Sequence, residues 1–339
     1  MEKIKAGWAV LIYSSASPDI EQAARQSLAE IAPHDSVVVG SQLGVKENGQ
    51  AVALRSDGTR LEGVDMSRPA SLTEFLRWGM EHYPAERVMV VLGGHGGGFL
   101  GAVSDVERRR FLVPGEMRAA LDEAGIKPDV LVFNSCLMAQ AEIAHELYPR
   151  AHYLVAAQSA EEGVGIPLGE VVKSLPGRDA EQGALAVVEA CQRTPERTPT
   201  MAALDLTCVE PLTDALDELA RSFDSDRAKV REHVLATPHF WKHEWDRPLS
   251  EMRDLSLFLR RLQGDPSLAI NLRELASSAL EALETLVVGS TGSEGLSVYL
   301  PGSSPAEPVE QRYRALRFAR ETYWDEAIKE LAREGPKGG

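Results

Sequence analysis

The sequence predicts an α/β fold built on a mostly parallel sheet, and three observations lead to it. Short runs rich in Val, Ile and Leu alternate with amphipathic helical patterns through the first two hundred of the 339 residues. Arg87–Leu92 is apolar almost throughout and followed by glycines, as a strand covered on both faces requires. The order strand, helix, strand across residues 87–133 is a crossover unit, which makes its two strands parallel and brings their carboxyl ends to one edge of the sheet.

The elements follow in order. Trp8–Tyr13 reads as the first strand and Ile20–Ile31 as the amphipathic helix after it. Val37–Val39 and Ala51–Leu54 read as two more strands, with Asn48-Gly49 as a hairpin turn. Ser71 is placed to cap a helix that runs to about His82 and is closed by Pro84. After Arg87–Leu92 come a helix at Pro114–Ala124, stopped by Gly125, a strand at Asp129–Phe133 and a helix at Leu137–Tyr148. Tyr153–Ala157 and Met201–Leu206 supply two further strands.

Beyond residue 206 the pattern is mainly helical, with helices expected at Val209–Phe223, Leu249–Leu262, Leu268–Val288 and Tyr313–Arg333. One late strand, Leu296–Leu300, follows the Gly/Ser-rich Gly289–Gly295. The division expected is an α/β core over 1–206 and a mostly helical subdomain over 207–339 that contributes the strand 296–300. Thr194–Thr200 and Thr237–Pro248 read as exposed loops and Pro336–Gly339 as a frayed tail.

Composition narrows the function. A hydrophobic fraction of 44% and a charged fraction of 26% suit a soluble globular protein. The net charge of -15 argues against nucleic-acid partners, whose phosphates need clustered Lys and Arg, and Arg108–Arg110 is the one tight basic run. No apolar stretch approaches the roughly 20 residues of a membrane span. Cys136, Cys191 and Cys208 lack CxxC spacing and are too few for a disulfide framework, which points to a reducing, cytoplasmic setting.

Two loops carry the candidate chemistry, each at the carboxyl end of a covered strand, the edge where open α/β sheets bind ligands. In Gly93-Gly94-His95-Gly96-Gly97-Gly98, glycines clear the space around one imidazole, so a substrate backbone can approach it. In Asn134-Ser135-Cys136, the cysteine is expected at the start of the Leu137–Tyr148 helix, where the dipole favours a thiolate. If the two strands are neighbours, His95 and Cys136 share a crevice. Histidine titrates near neutrality, so it can move the proton that a thiol nucleophile requires.

Competing readings are weaker. Gly96–Gly101 formally satisfies GxGxxG, but a dinucleotide site needs that run to open a helix, and Phe99–Val103 reads as extended. GxSxG and GxxxxGK[ST] do not occur. His239 and His243 have the spacing of a metal pair but no third ligand, so no metal site is assigned. A catalytically dead domain that serves as a scaffold or binding module is the alternative from another functional class.

At these residues the sequence resembles the clostripain family of cysteine peptidases. Trp8–Tyr13 is similar to the family's opening strand and Gly63-Val64-Asp65-Met66 with Leu72–Trp78 to the stretch before its histidine strand. His95-Gly96-Gly97-Gly98 resembles its histidine loop, Cys136-Leu137-Met138 with Glu142 its nucleophile segment, Val155–Pro167 its specificity loop and Gly295–Pro301 a late strand; Asp254–Leu262 and Phe318–Leu331 are fainter echoes. The resemblance implies a caspase-like three-layer sandwich and an endopeptidase in which Cys136 attacks the scissile carbonyl, His95 protonates the leaving amine, and main-chain N–H groups of Gly96 and Cys136 hold the oxyanion.

It also implies substrate contacts from Gly94, Asn134, Ser135, Glu161, Glu162 and Val164. Relatives that cut after Arg or Lys carry an aspartate two residues before the nucleophile and an acid in the specificity loop, where this chain has Asn134 and Val164. A buried guanidinium without a carboxylate partner is strongly penalised, so an uncharged, apolar residue is expected before the cleaved bond. Glu161 and Glu162 keep a basic preference open. Relatives can depend on calcium, but the chain shows no EF-hand-like loop, and no cofactor is assigned. The partners expected are a protein or peptide substrate and an activating ligand or protein, since an intracellular protease needs gating by a ligand, a partner or self-cleavage.

Overall fold

The computed structural model describes residues 5–105, 110–161, 164–198, 200–240, 251–292 and 295–333. Calls on Glu162, Arg108, Arg109, His243, the 241–248 part of the second loop, the start of the Leu249 helix and the tail lie outside these residues.

Nine strands form the main sheet: β1 (Ala6–Ser15), β2 (Val37–Glu47), β3 (Gln50–Arg55), β4 (Arg60–Glu62), β5 (Ala85–Gly93), β8 (Val130–Asn134), β9 (Tyr153–Ala156), β10 (Met201–Asp205) and β12 (Val287–Thr291). Their spatial order is β12-β10-β9-β8-β5-β1-β2-β3-β4. The central pairs β2-β1, β1-β5, β5-β8 and β8-β9 are all parallel, and both flanks are antiparallel. Alternate side chains of each central strand enter different cores. Leu11, Tyr13, Val90, Leu92, Leu131 and Phe133 face one cluster, whereas Val10, Ile12, Met89, Val91, Val130 and Val132 face the other.

Helices cover both faces and make three layers. On the first side lie α2 (Pro69–His82), α3 (Pro114–Ala124) and α4 (Ala141–Leu147), joined by the C-terminal helices. On the second lie α1 (Glu21–Ala29), α5 (Leu168–Ser174) and α6 (Ala180–Gln192). Residues from both halves of the chain, Phe133 and Trp324 among them, belong to the first core.

Several expected boundaries change. The helix after Pro69 starts there rather than at Ser71, because Pro69 takes the first helical position with Arg68 extended before it. The expected Leu137–Tyr148 helix begins at Ala141, since the N–H groups of Leu137 and Ala139 are bonded to the carbonyls of Ser159 and Ala157. Val287 and Val288 leave the expected helix, which ends at Leu286, and open β12 beside β10, consistent with β-branched preference. Tyr313–Arg333 divides into the end of Glu307–Arg314, then Arg317–Glu321 and Trp324–Arg333; extended Leu316 and Thr322 separate them. The helix Arg227–Ala236 and the strands β4, β7 (Arg110–Leu112) and β11 (Met252–Asp254) were not anticipated, and the run expected to be extended over Phe99–Val103 is instead the turn Gly98–Leu100 followed by strand β6 (Ala102–Asp105). Ser297–Tyr299 pairs with Met252–Asp254 in a small ribbon and bridges to Gln140.

Glu142, on α4, is fully buried there. One oxygen accepts from the Tyr299 N–H and the Tyr313 hydroxyl at 2.8 and 2.9 Å, and the other has no hydrogen-bond partner. Burial pushes its carboxyl up to about 7 against those two donors. The folded value lies above the ordinary 4.5, so this contribution to stability is complete below about pH 4.5 and is lost as pH rises through 7. Glu142→Gln keeps an acceptor and should gain on the native chain by roughly 2–5 °C in Tm between pH 5 and pH 8. A pH-independent difference in thermal unfolding would contradict this.

Candidate active site

β5 and β8 are neighbours in register, with Gly93 opposite Asn134. His95 and Cys136 therefore each follow one member of that pair by two residues, on strands about 4.8 Å apart. Both line one cavity of about 170 Å³ together with Gly94, Asn134, Ser135, Glu161 and Val164. Gly96 is wedged against the nucleophile loop: a Cβ built on it would lie 2.4 Å from the Cys136 carbonyl oxygen and 2.9 Å from the Cys136 nitrogen. Gly94 has φ 133°, a conformation open to glycine, and a Cβ there would meet the Ser15 carbonyl at 2.7 Å.

Cys136 does not start a helix, so the expected dipole assistance is absent. Its neighbour Leu137 adopts φ 65°, the left-handed region, at a typical cost of about 1–2 kcal/mol for a residue with a Cβ. Pairing to Ser159, Ala157 and Ser297 on either side holds that turn. The Glu161 N–H donates to the Cys136 Sγ at 3.3 Å.

The remaining expected residues divide by role. The Asn134 side-chain oxygen accepts the Ile166 N–H at 2.8 Å and so fixes the loop that carries Val164. The Ser135 hydroxyl, buried, turns to the Leu92 carbonyl at 3.5 Å. Glu161 has a buried carboxyl oxygen without a hydrogen-bond partner, and burial raises the group to about 8. Ile20, Ala24, Leu28 and Leu168 complete an apolar wall that sequence reading did not assign.

Asp19 was missed. Its carboxylate lies 2.9 Å from the His95 Nε2, and the Ser17 hydroxyl, then the imidazole, hold it below the ordinary carboxylate range. The signal was the polar run Ser14–Asp19 at the carboxyl end of β1, a third loop at the same sheet edge. Among the described residues, no group of three or more His, Cys, Asp or Glu could hold a metal ion. Gly96–Gly101 contains the single 3-10 turn Gly98–Leu100, a strand follows at Ala102–Asp105, and among the described residues no α-helix opens before Pro114.

The sequence profile of the clostripain family matches residues 35–330. The chain belongs to the clostripain family. It is accordingly a cysteine endopeptidase. Solved structures share its architecture. A secreted C11 cysteine protease from Bacteroides thetaiotaomicron is 14% identical, with 94% of this chain and 100% of that chain covered and a TM-score of 0.72. An inactive zymogen C11 protease from Parabacteroides distasonis is 17% identical, with 95% and 100% covered and a TM-score of 0.71. A B. thetaiotaomicron C11 protease in complex with an irreversible peptide inhibitor is 17% identical, with 96% and 99% covered and a TM-score of 0.67. At these identities the likeness is one of fold, the caspase-like sandwich. No curated protein matches. Among the described residues, no helix is long and apolar enough to cross a membrane.

Proposed function

We propose that Cys136 and His95 form the catalytic dyad of this endopeptidase, with Asp19 positioning the imidazole. The observation that carries this reading is the single cavity lined by both side chains at adjacent strand ends. With Nε2–H donated to Asp19, Nδ1 is the nitrogen left to exchange a proton with thiol and leaving group. The sulfur attacks the scissile carbonyl carbon, and the N–H groups of Gly96 and Cys136 receive the oxyanion. Collapse breaks the C–N bond as the imidazolium protonates the departing amine, and water then releases the acyl group from sulfur.

The residue before the cleaved bond is uncharged and apolar in this reading. Ile20, Ala24, Leu28, Val164 and Leu168 line the cavity, and Asn134 is already committed to Ile166. Glu161, raised by burial to about 8, is mostly neutral at pH 7 and offers no standing charge to a guanidinium. Fluorogenic peptides that end in Leu should be cleaved at least tenfold better than their Arg counterparts at pH 7. Efficient cleavage after Arg would reverse the assignment and make Glu161 the counter-ion.

We also propose that activity is gated, within a reducing cytoplasmic setting. The main chain of Glu161 bonds to the nucleophilic sulfur, which places the specificity loop against the nucleophile, where a shift of that loop would alter its access. None of the three cysteines forms a disulfide. Purified protein should leave casein largely intact until an activating ligand, partner or cleavage is supplied; broad digestion without one would remove the gating.

A further inference from the structure

A second cavity, of about 100 Å³, lies beyond the loop Ser15–Asp19 from the first, and Ser15 lines both. Ala16, Pro18, Val45, Val52, Val64 and Met66 give it apolar walls, and Lys46 contributes its one charged side chain. The strand order β8-β5-β1-β2-β3 sets its place: Cys136 follows β8, His95 follows β5, and this cavity lies where the loop after β1 meets β2 and β3.

Chemistry gives that order a direction. The acyl half of a substrate becomes bonded to sulfur, while the half that leaves receives its proton from His95. The leaving peptide therefore departs from the sulfur toward the histidine side, and continuing that line leads across Asp19 to the second cavity. Two strand spacings cover about 10 Å, and an extended peptide advances about 3.3 Å per residue.

We propose that this cavity is a leaving-group subsite, which receives an apolar side chain from the second or third residue after the scissile bond. The proposal rests on the Cys136–His95 reading and adds a selectivity that the first cavity does not supply. Part burial of one leucine side chain against these walls would favour it over glycine by about fivefold.

Acyl transfer tests it directly. The enzyme is acylated with a peptidyl aminomethylcoumarin, which has no leaving peptide, and Gly-Gly-Gly-NH₂, Gly-Leu-Gly-NH₂ and Gly-Gly-Leu-NH₂ compete with water for the thioester. The attacking amine forms the new C–N bond as the C–S bond breaks, and Cys136 regains its proton. One leucine acceptor should capture the acyl group about fivefold better than triglycine amide. In Val64→Asp, and in Ala51→Phe should the first fail to fold, that ratio should fall to near one; as an internal ratio it is independent of the amount of active enzyme. Equal capture by all acceptors, or a preference that survives in both variants, overturns the subsite and leaves the peptidase reading intact. Coumarin release that Cys136→Ala retains, or no release even after limited proteolysis has supplied an activating cleavage, overturns the dyad reading and the subsite with it.

Discussion

Cys136→Ala should lower kcat/KM on the best peptide substrate by about 10⁴-fold or more, and His95→Ala should lower it comparably. The two side chains act on the same proton and the same carbonyl, so the double variant should be no worse than either single one. Asp19→Asn should have a smaller effect, about tenfold on kcat with KM little changed, because a carboxylate that is largely exposed orients the ring without touching substrate. Asp19→Glu should restore part of that loss, a response that a purely structural role would not produce. The discriminating measurement is labelling by an electrophilic peptide probe alongside turnover. Labelling should vanish in Cys136→Ala and be slowed in His95→Ala. A Cys136→Ala protein that still takes up the probe or cleaves peptides at the native rate would place the nucleophile elsewhere and end the Cys136–His95 reading.

Adjacency of the two reactive loops was legible because its causes are local and strong. Covered strands read as continuous apolar runs, and a strand-helix-strand unit has one favoured handedness. The residues that complete the site were harder for a common reason: their partners are distant in sequence. The polar run Ser14–Asp19 marks a loop at the same sheet edge, but it does not single out Asp19 as the partner of an imidazole 76 positions away. Leu137–Ala141 has helical composition, yet its first amides are taken by Ala157 and Ser159, so tertiary pairing overrides propensity and leaves Cys136 in a strained turn. Val287 and Val288 continue a helical period into an edge strand that exists only because β10 lies beside it. The burial that raises Glu161 to about 8 comes from packing of the specificity loop, which a string of residue types does not display.

Gly96→Ala should reduce turnover by about 10²-fold while the fold persists. The position is not conformationally special, since Gly96 is absent from the positive-φ residues, so the constraint is space alone. An added methyl would sit 2.4 Å from the Cys136 carbonyl oxygen and 2.9 Å from both the Cys136 nitrogen and the Ser135 Cβ. Two of these three atoms are main chain and cannot rotate aside, so one loop must withdraw from the other. Displacement by about 1 Å separates imidazole from thiol and spreads the two N–H donors, and misplacement of that size can cost about 10²-fold in rate. Most of the loss should appear in kcat, because the apolar cavity is built by residues on other segments. Reaction of Cys136 with a small alkylating agent, which needs no oxyanion support, should persist. Native kcat in a well-folded Gly96→Ala protein would show that the histidine and cysteine loops need not touch for catalysis, and would remove Gly96 from the proposed oxyanion site.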